Sequence, residues 1–330
     1  MKKHYKAIFF LIGIAGIVLL AISAWPDEMD WQEFFGPRLI GLMTLLLGLW
    51  ALIYALHARA FRLVMGEAGA GISRLDLYRI CVTGFALNNV TPAGLVGGEP
   101  YRILELRNFM STEKATSSTI SFSLTYVIGH ILLWLTGILI YFLMGSPADS
   151  FVSILLIISA FVLLIICLYF FTFRHRALIT PAFRFFSKLP LVGKKAESYA
   201  RRHEEAFQEA DRCYAEFYGD KKTVYRVILL EYVARLLEAV EYFLIFRYLG
   251  VPVRVSGAVL ILTLASLLGN LLFMVPMQAG TREGGMAIAL DILGVDSVTG
   301  VMGGLIYRIR DLFCTLIGIL LILLSRKKNK

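Results

Sequence analysis

Charged residues are scarce in this chain, and their scarcity excludes an ordinary soluble domain. They make up 17% of the 330 residues, whereas a soluble globular protein carries roughly 25%. Hydrophobic residues reach 58%, and the mean hydropathy is +0.72. Several apolar runs hold about 18 residues or more, which is enough for a helix to cross a hydrocarbon layer of about 30 Å. The composition predicts a single membrane domain over residues 1–330, with no room among them for a soluble catalytic domain.

Cysteine is also sparse, and so are the motifs that mark common enzymes. The four cysteines lie far apart, without a CxxC pair or a cluster with histidine, and we expect small buried hydrophobic residues rather than disulfides or metal ligands. HExxH, a P-loop, a paired-aspartate diphosphate motif and a credible Ser/His dyad are all absent from the sequence. We therefore expect no metal, no cofactor and no ATP-driven transport within this chain.

Six apolar runs are predicted as full membrane-spanning helices, so the expected fold class is an all-α polytopic membrane protein. The first run follows three lysines and shares features with a signal peptide, but its length and weak cleavage site favour a retained helix. The six runs are 7–24, 39–57, 116–143, 150–173, 223–249 and 300–325.

The distribution of basic residues predicts the orientation. Lysine and arginine are concentrated at both termini and in the segment 174–222, which holds eleven of them, whereas the loop 25–38 is acidic and the turn 144–149 has no basic residue. Because Lys and Arg are enriched on the cytoplasmic side, we expect a multi-pass protein of the cytoplasmic (inner) membrane with both termini in the cytoplasm. The net charge of +9 then requires no nucleic-acid partner. A charged helix at about 194–218 is either a solvated face or a surface that contacts lipid headgroups.

Two further apolar stretches, about 72–114 and 256–296, are interrupted by proline, glycine and charge. The orientation of the flanking spans requires the first stretch to begin and end on the cytoplasmic side, and the second to begin and end outside. Each is therefore predicted as a re-entrant hairpin, and the two hairpins enter the membrane from opposite faces.

The order of span, hairpin and span occurs twice, in repeat A (about 39–143) and repeat B (about 223–325). The three elements start 184 residues apart in the two repeats, and the same offset superposes Pro92 on Pro276 and Glu99 on Glu283. Inverted repeats whose broken helices meet near the midplane are typical of secondary transporters. Chance spacing among many apolar runs is the alternative.

The first hairpin contains a candidate anion site. Its glycines and proline break the helix, and the restart after Gly98 creates a helix N-terminus whose free N–H groups favour an anion. Arg102 follows one turn later, and Glu99 would cap the helix, pair with an arginine or meet a cationic headgroup. A tight turn with an internal Glu99–Arg102 pair is the structural alternative. The residues that break the helix are Pro92, Gly94, Gly97 and Gly98.

The second hairpin has the same arrangement of helix-breaking residues followed by charge, with Arg282 and Glu283 following Pro276 and Gly280. Charged residues also lie inside two of the full spans, where an ionisable side chain is costly and indicates a functional site. Arg235 lies close to mid-span in 223–249, with Glu231 and Glu238 on the same helix face, and Arg308 lies inside 300–325 with Arg310 and Asp311. These charges either pair across helices or line a wet cavity that accepts a lipid phosphate. His130 is expected to be a donor between helices rather than a proton relay.

The segments TPAGLVGGEPYRILELR and VPMQAGTREGG, in this order, resemble the membrane domain of bacterial lysylphosphatidylglycerol synthetases and the stand-alone flippase-like proteins of that superfamily. The resemblance covers essentially the whole chain. It implies an inner-membrane protein with two re-entrant elements that moves a phospholipid or related lipid between leaflets, without the soluble synthase domain. The second motif departs from the family pattern, because Met277 and Gln278 stand where the family usually has a glycine pair.

The leading hypothesis is a lipid translocase whose partner is a membrane phospholipid or a related anionic or aminoacylated lipid, and not an enzyme. The arginines Arg102, Arg282, Arg308 and Arg235 would hold the phosphate, and Glu99 and Glu283 would orient them. A membrane enzyme acting on a lipid phosphate and a non-transporting lipid-binding scaffold are the alternatives. A homo-oligomer is also possible.

Overall fold

Every regular element in the described part of the chain is a helix. The computed structural model describes residues 36–90, 98–144, 150–173, 176, 180–181, 204–271, 278 and 280–325. The predicted span 7–24 lies outside these residues, as do Pro92, Gly94, Gly97 and Pro276 of the two predicted hairpins.

Ten α-helices occur in the described ranges. They are α1 (Pro37–Met65), α2 (Arg74–Val90), α3 (Gly98–Leu106), α4 (Thr112–Leu143), α5 (Ser150–Phe173), α6 (Glu204–Gly219), α7 (Lys221–Tyr248), α8 (Val255–Leu271), α9 (Thr281–Ile292) and α10 (Val298–Ser325), with a 3-10 turn at Gly66–Gly69 after α1.

The predicted spans after the first correspond to α1, α4, α5, α7 and α10. The prediction that the first of these ends at residue 57 is wrong, because α1 continues to Met65. Arg59 and Arg62 suggested a loop, but Ala60 and Phe61 between them and Val64 after them are buried and continue the helix. Gly66, with φ 59°, ends it.

Among the described residues, three helices are long and apolar enough to cross a membrane: α1 with its 3-10 turn, α4 and α5. Helices α7 and α10 have 28 residues each but carry several interior charges, and α8 is apolar but has only 17 residues. The charged helices therefore need partners inside the protein. They have them, because α7 packs along α1, α4 and α8, and α10 packs on α2 and α9.

Small residues allow the helices to approach closely, as in many membrane proteins. A Cβ on Gly318 of α10 would lie 2.4 Å from the Cβ of Ala86 on α2. A Cβ on Gly285 of α9 would lie 2.5 Å from the backbone oxygen of Leu264 on α8. These contacts hold α2 to α10 and α9 to α8.

Apolar helices in the described part of the chain differ in how far they are buried. The faces of α5 are mostly exposed and apolar, with Phe151, Ile157 and Leu168 among its exposed side chains. By contrast, α8 is buried along most of its length. The exposed apolar surface of α5 is suited to contact with lipid.

Candidate functional site

A connected polar cluster surrounds Arg235 in the interior of the bundle. Arg235 lies on α7 and is 2% exposed. Its Nη1 donates to Oε1 of Glu238 at 2.5 Å, and its Nη2 donates to Nε2 of His57 on α1 at 2.7 Å. Its guanidinium carbon lies 4.5 Å from the ring centre of Tyr126 on α4, and its Nη1 lies 3.4 Å from Nε2 of His130. Three helices therefore meet at one arginine.

His57 extends this cluster to a second carboxylate. Its Nδ1 lies 2.8 Å from Oε2 of Glu231, one turn before Arg235 on α7. Glu231 is fully buried, and His57 is 2% exposed. The spacing of Glu231, Arg235 and Glu238 indicated a shared helix face. For His57, the available signal was a histidine within an apolar run that is followed by arginines. That signal does not identify Glu231 or Arg235 as its partner.

In the first hairpin, the helix restart at Gly98 is capped by a side chain. The backbone N–H of Gly98 donates to Oδ1 of Asn88 on α2 at 2.7 Å. Arg102 donates to Glu99 at 3.2 Å, so these residues form the internal pair that was the structural alternative. The hydroxyl of Ser123 on α4 lies 3.4 Å from the same carboxylate. Asn88 and Ser123 had not been predicted as site residues, although Asn88 immediately precedes the helix-breaking sequence.

Arg102 is nonetheless almost fully enclosed, with 8% exposure. Its guanidinium carbon lies 5.5 Å from the ring centre of Phe122, and a Cβ on Gly84 would lie 2.6 Å from its Nε. Within the described residues, that Nε and Oε2 of Glu99 have no hydrogen-bond partner. Gly84 therefore provides the space that allows this arginine to enter the bundle.

In the second hairpin, Glu283 fixes the start of α9 to α10. Its Oε1 accepts from Nε of Arg308 at 2.5 Å, and its Oε2 accepts from Nη2 of Arg308 at 3.0 Å. Oε2 also accepts from the backbone N–H of Gly280 at 2.9 Å, where φ is 81°. Glu283 and Arg308 were both predicted as substrate ligands. The structure joins them to each other in a two-bond pair.

Arg282 differs from these arginines in its partners. Its Nε and Nη2 donate to Oε1 of Gln278 at 3.2 and 3.0 Å, and its guanidinium carbon lies 4.8 Å from the ring centre of Tyr307. Among the described residues, no carboxylate lies within ion-pair distance of Arg282. Its electrostatic interactions are with Tyr307, Tyr242, Asp311 and, more weakly, Glu238. Neutral groups therefore hold its guanidinium in place.

Arg310 is compensated by two carboxylates. It pairs with Glu241 of α7 and with Asp311 at 2.7 Å, and it stacks over Tyr307. Glu241 is fully buried and had not been predicted. Its position three residues after Glu238 on the same span was the available signal.

Electrostatic interactions connect α3 and α9, which belong to the two predicted hairpins, through the cluster. Tyr54 and Tyr126 interact with both Arg102 and Arg235. Glu238 interacts with both Arg235 and Arg282. The predicted arginines Arg102, Arg235 and Arg282 thus lie along one polar path between α3 and α9, while Arg308 is held by Glu283. No group of three His, Cys, Asp or Glu residues suited to a metal ion occurs in the part of the chain that the structure describes.

Comparison with known proteins agrees with the resemblance seen in the two motifs. The sequence model of the lysylphosphatidylglycerol synthase TM region matches residues 7–318. The chain belongs to this family. A relative named "UPF0104 membrane protein", from Methanothermobacter thermautotrophicus, is 23% identical over 317 residues, which cover 93% of this chain and 91% of the relative. Membership of a family of membrane regions, together with the apolar helices, makes this chain an all-helical membrane protein.

Proposed function

We propose that this protein moves an anionic phospholipid, or a related anionic or aminoacylated lipid, across the cytoplasmic membrane as a transporter and not as an enzyme. Family membership links the chain to the membrane region of proteins that handle such lipids. The polar path between α3, α7 and α9 offers cationic groups inside an apolar bundle. A phosphate that crosses a hydrocarbon layer needs such groups, because an isolated charge there is costly.

The observation that carries the proposal is that Arg282 has no ion pair with a carboxylate among the described residues. Each of the buried arginines Arg102, Arg235 and Arg310 pairs with a carboxylate, and so does Arg308. In the described residues, Arg282 has only neutral hydrogen-bond partners. A phosphate oxygen would therefore gain a charge-assisted bond at Arg282 without displacing an ion pair. Arg102 and Arg235 would support the same headgroup further along the path.

Glu99 is suited to bind the ammonium group of an aminoacylated headgroup. Its Oε1 binds Arg102, while its buried Oε2 has no partner within the described residues. An ammonium group carried by the lipid would satisfy that oxygen.

The proposal includes the two opposed hairpins of an inverted repeat. Its support is that corresponding helices make corresponding contacts: α2 of repeat A packs on α10, and α8 of repeat B packs on α4. His57 contacts Tyr126 with ring centres 5.4 Å apart. The residues 184 positions later, Glu241 and Arg310, form an ion pair. The two halves would then alternate around the polar path.

Reconstitution into liposomes tests the proposal. We expect the wild-type protein to move a labelled anionic phospholipid between leaflets, and Arg282→Gln to slow this movement about tenfold or more, because a hydrogen bond to a charged group contributes about 1.5–3 kcal/mol. Arg226→Gln is the matched control, since it removes one positive charge from an exposed position on α7.

Mass spectrometry of the liposome lipids after the assay separates transport from catalysis. Unchanged lipids together with leaflet exchange support a transporter, whereas a new lipid product would overturn the proposal. Equal movement in the wild type and in Arg282→Gln would also overturn it.

A further inference from the structure

The cluster around Arg235 contains a carboxylate, that of Glu231, which phosphate binding does not require. Glu231 is fully buried on α7. A Cβ on Gly129 of α4 would lie 2.9 Å from its Cβ, so α4 closes over it. Its Oε2 lies 2.8 Å from Nδ1 of His57, but neither of its oxygens has a hydrogen-bond partner among the described residues. A buried ionised carboxylate with an unpartnered oxygen is costly, and a bound proton removes that cost.

Arg235 determines the protonation of both neighbouring histidines. A guanidinium only donates hydrogen bonds, so a ring nitrogen that faces it must accept through its lone pair. Nε2 of His57 and Nε2 of His130 both face Arg235, at 2.7 and 3.4 Å. Both rings are therefore neutral with the proton on Nδ1. In His57 this nitrogen lies 2.8 Å from Oε2 of Glu231, and in His130 it lies 3.3 Å from the backbone oxygen of Tyr126.

The histidines consequently cannot take up a further proton while Arg235 faces them, which leaves the carboxylates. Glu238 accepts a 2.5 Å hydrogen bond from Arg235 and interacts with Arg282 as well. Glu231 has only the neutral His57 as a direct partner. The titratable and charged groups that interact with Glu231 in the described residues are His57 of α1, Cys81 of α2, Tyr126 of α4 and Arg235 of its own helix.

The balance of charge connects this carboxylate to the phosphate site. Ionised Glu231 and Glu238 match the charges of Arg235 and Arg282, and Asp311 beside Arg310 also interacts with Arg282. A lipid phosphate on Arg282 would add a negative charge to an enclosed, weakly screened site. Protonation of one carboxylate offsets that added charge, and of Glu231 and Glu238 only Glu231 lacks an ion pair with an arginine in the described residues.

We propose that Glu231 binds a proton when an anionic headgroup binds at Arg282, so that lipid and proton move together. This inference rests on the proposed function. A proton from water joins the carboxylate to give a carboxylic acid. Because such coupling is reciprocal, the proton strengthens headgroup binding as much as the headgroup strengthens proton binding. The transmembrane proton gradient would then drive the lipid.

Infrared difference spectroscopy detects the protonated carboxyl group without any assay of transport. Spectra of the purified full-length protein are recorded at acidic and alkaline pH in micelles that contain phosphatidylglycerol. We expect the C=O band of a protonated carboxylic acid in the wild type and in Glu238→Gln, and its loss in Glu231→Gln. His57→Asn keeps a donor for Glu231 and should shift this band without removing it. A band that persists in Glu231→Gln, or that never appears in the wild type, overturns the proton site.

Transport in proteoliposomes tests the coupling. For one bound proton, the wild-type rate should change by up to about tenfold per pH unit on the steep side of the titration. Glu231→Gln, which resembles the protonated acid, should lose this dependence. An unchanged pH dependence in Glu231→Gln overturns the coupling. If the wild type moves no lipid but the Glu231 band is present, the proposed function fails and the proton site stands.

Discussion

At the scale of single residues, Gln278 combines an unusual backbone with a specific side-chain contact. Its φ of 53° lies in the left-handed region, which glycine adopts without strain and other residues rarely occupy. Its Oε1 accepts two hydrogen bonds from Arg282 and lies where a Cβ on Gly269 would be 2.7 Å away. Gln278 thus stands at one position of the glycine pair expected from the resemblance, and its amide supplies the contact that positions Arg282.

Two substitutions separate these contributions. Both Gln278→Ala and Gln278→Gly should weaken phospholipid binding several-fold, because each removes the two hydrogen bonds that Oε1 accepts from the charged Arg282. Only Gln278→Gly relieves the left-handed strain, so it should be more stable than Gln278→Ala by about 1–2 kcal/mol. Thermal unfolding in detergent and a binding titration measure the two effects. Equal stability of the two variants would refute the role of the backbone.

Sequence spacing predicts partners only over short distances along a helix. Glu99 with Arg102, and Arg235 with Glu238, are three residues apart, and both pairs form. The pair of His57 with Glu231 joins helices that are far apart in sequence. No periodicity predicts that pair, because it depends on how the helices pack.

At the scale of helices, the contact between α2 and α10 depends on one small residue. Gly318 lies against Ala86 and the backbone oxygen of Val82, which a Cβ would approach to 2.4 and 3.0 Å. Helix association in membranes depends on such close packing, because lipid is as apolar as the side chains.

Gly318→Ala should therefore lower the thermal stability, by about 1–3 kcal/mol if the helices must move apart to avoid overpacking. Gly48→Ala is the matched control, since a Cβ at this position of α1 meets nothing within 4 Å. Unfolding in detergent, followed by a thiol-reactive dye, gives both values. A Gly318→Ala protein as stable as the control would contradict the close contact.

Helix bounds were predictable where a run was apolar throughout and less so where charge intervened. The prediction for α5 matched Ser150–Phe173, and those for α7 and α10 each began two residues late. The end of α1 was missed because its arginines lie on an otherwise apolar helix. Arg62 donates to the backbone oxygen of Ile72 at 2.5 Å, so this charge is used to hold the turn that follows the helix.

At the scale of the whole molecule, the proposed inverted repeat makes a prediction about orientation. The connection before α2 in repeat A should face the cytoplasm, and the connection between α9 and α10 in repeat B should face outward. Arg74 and Asp296 are exposed at these two places.

Cysteine labelling with a membrane-impermeant reagent tests this orientation. In a background in which Cys213 is replaced by serine, Asp296→Cys should react in intact cells, and Arg74→Cys should react only after permeabilisation. The remaining native cysteines are buried and provide the unlabelled control. Labelling of both positions from the same side would exclude the opposed arrangement.

The sequence by itself determined that this is a helical membrane protein, because hydropathy and helix length are properties of contiguous residues. It also identified most of the charges inside the spans, since an ionisable residue in an apolar run is visible without a fold. Only the tertiary structure decided which of these charges compensate one another. Arg308 is held by Glu283 and Arg310 by Glu241, whereas Arg282 has neutral partners among the described residues. The net charge that a ligand meets at an arginine depends on side chains from helices that are distant in sequence. Only the packing of those helices determines where these side chains lie.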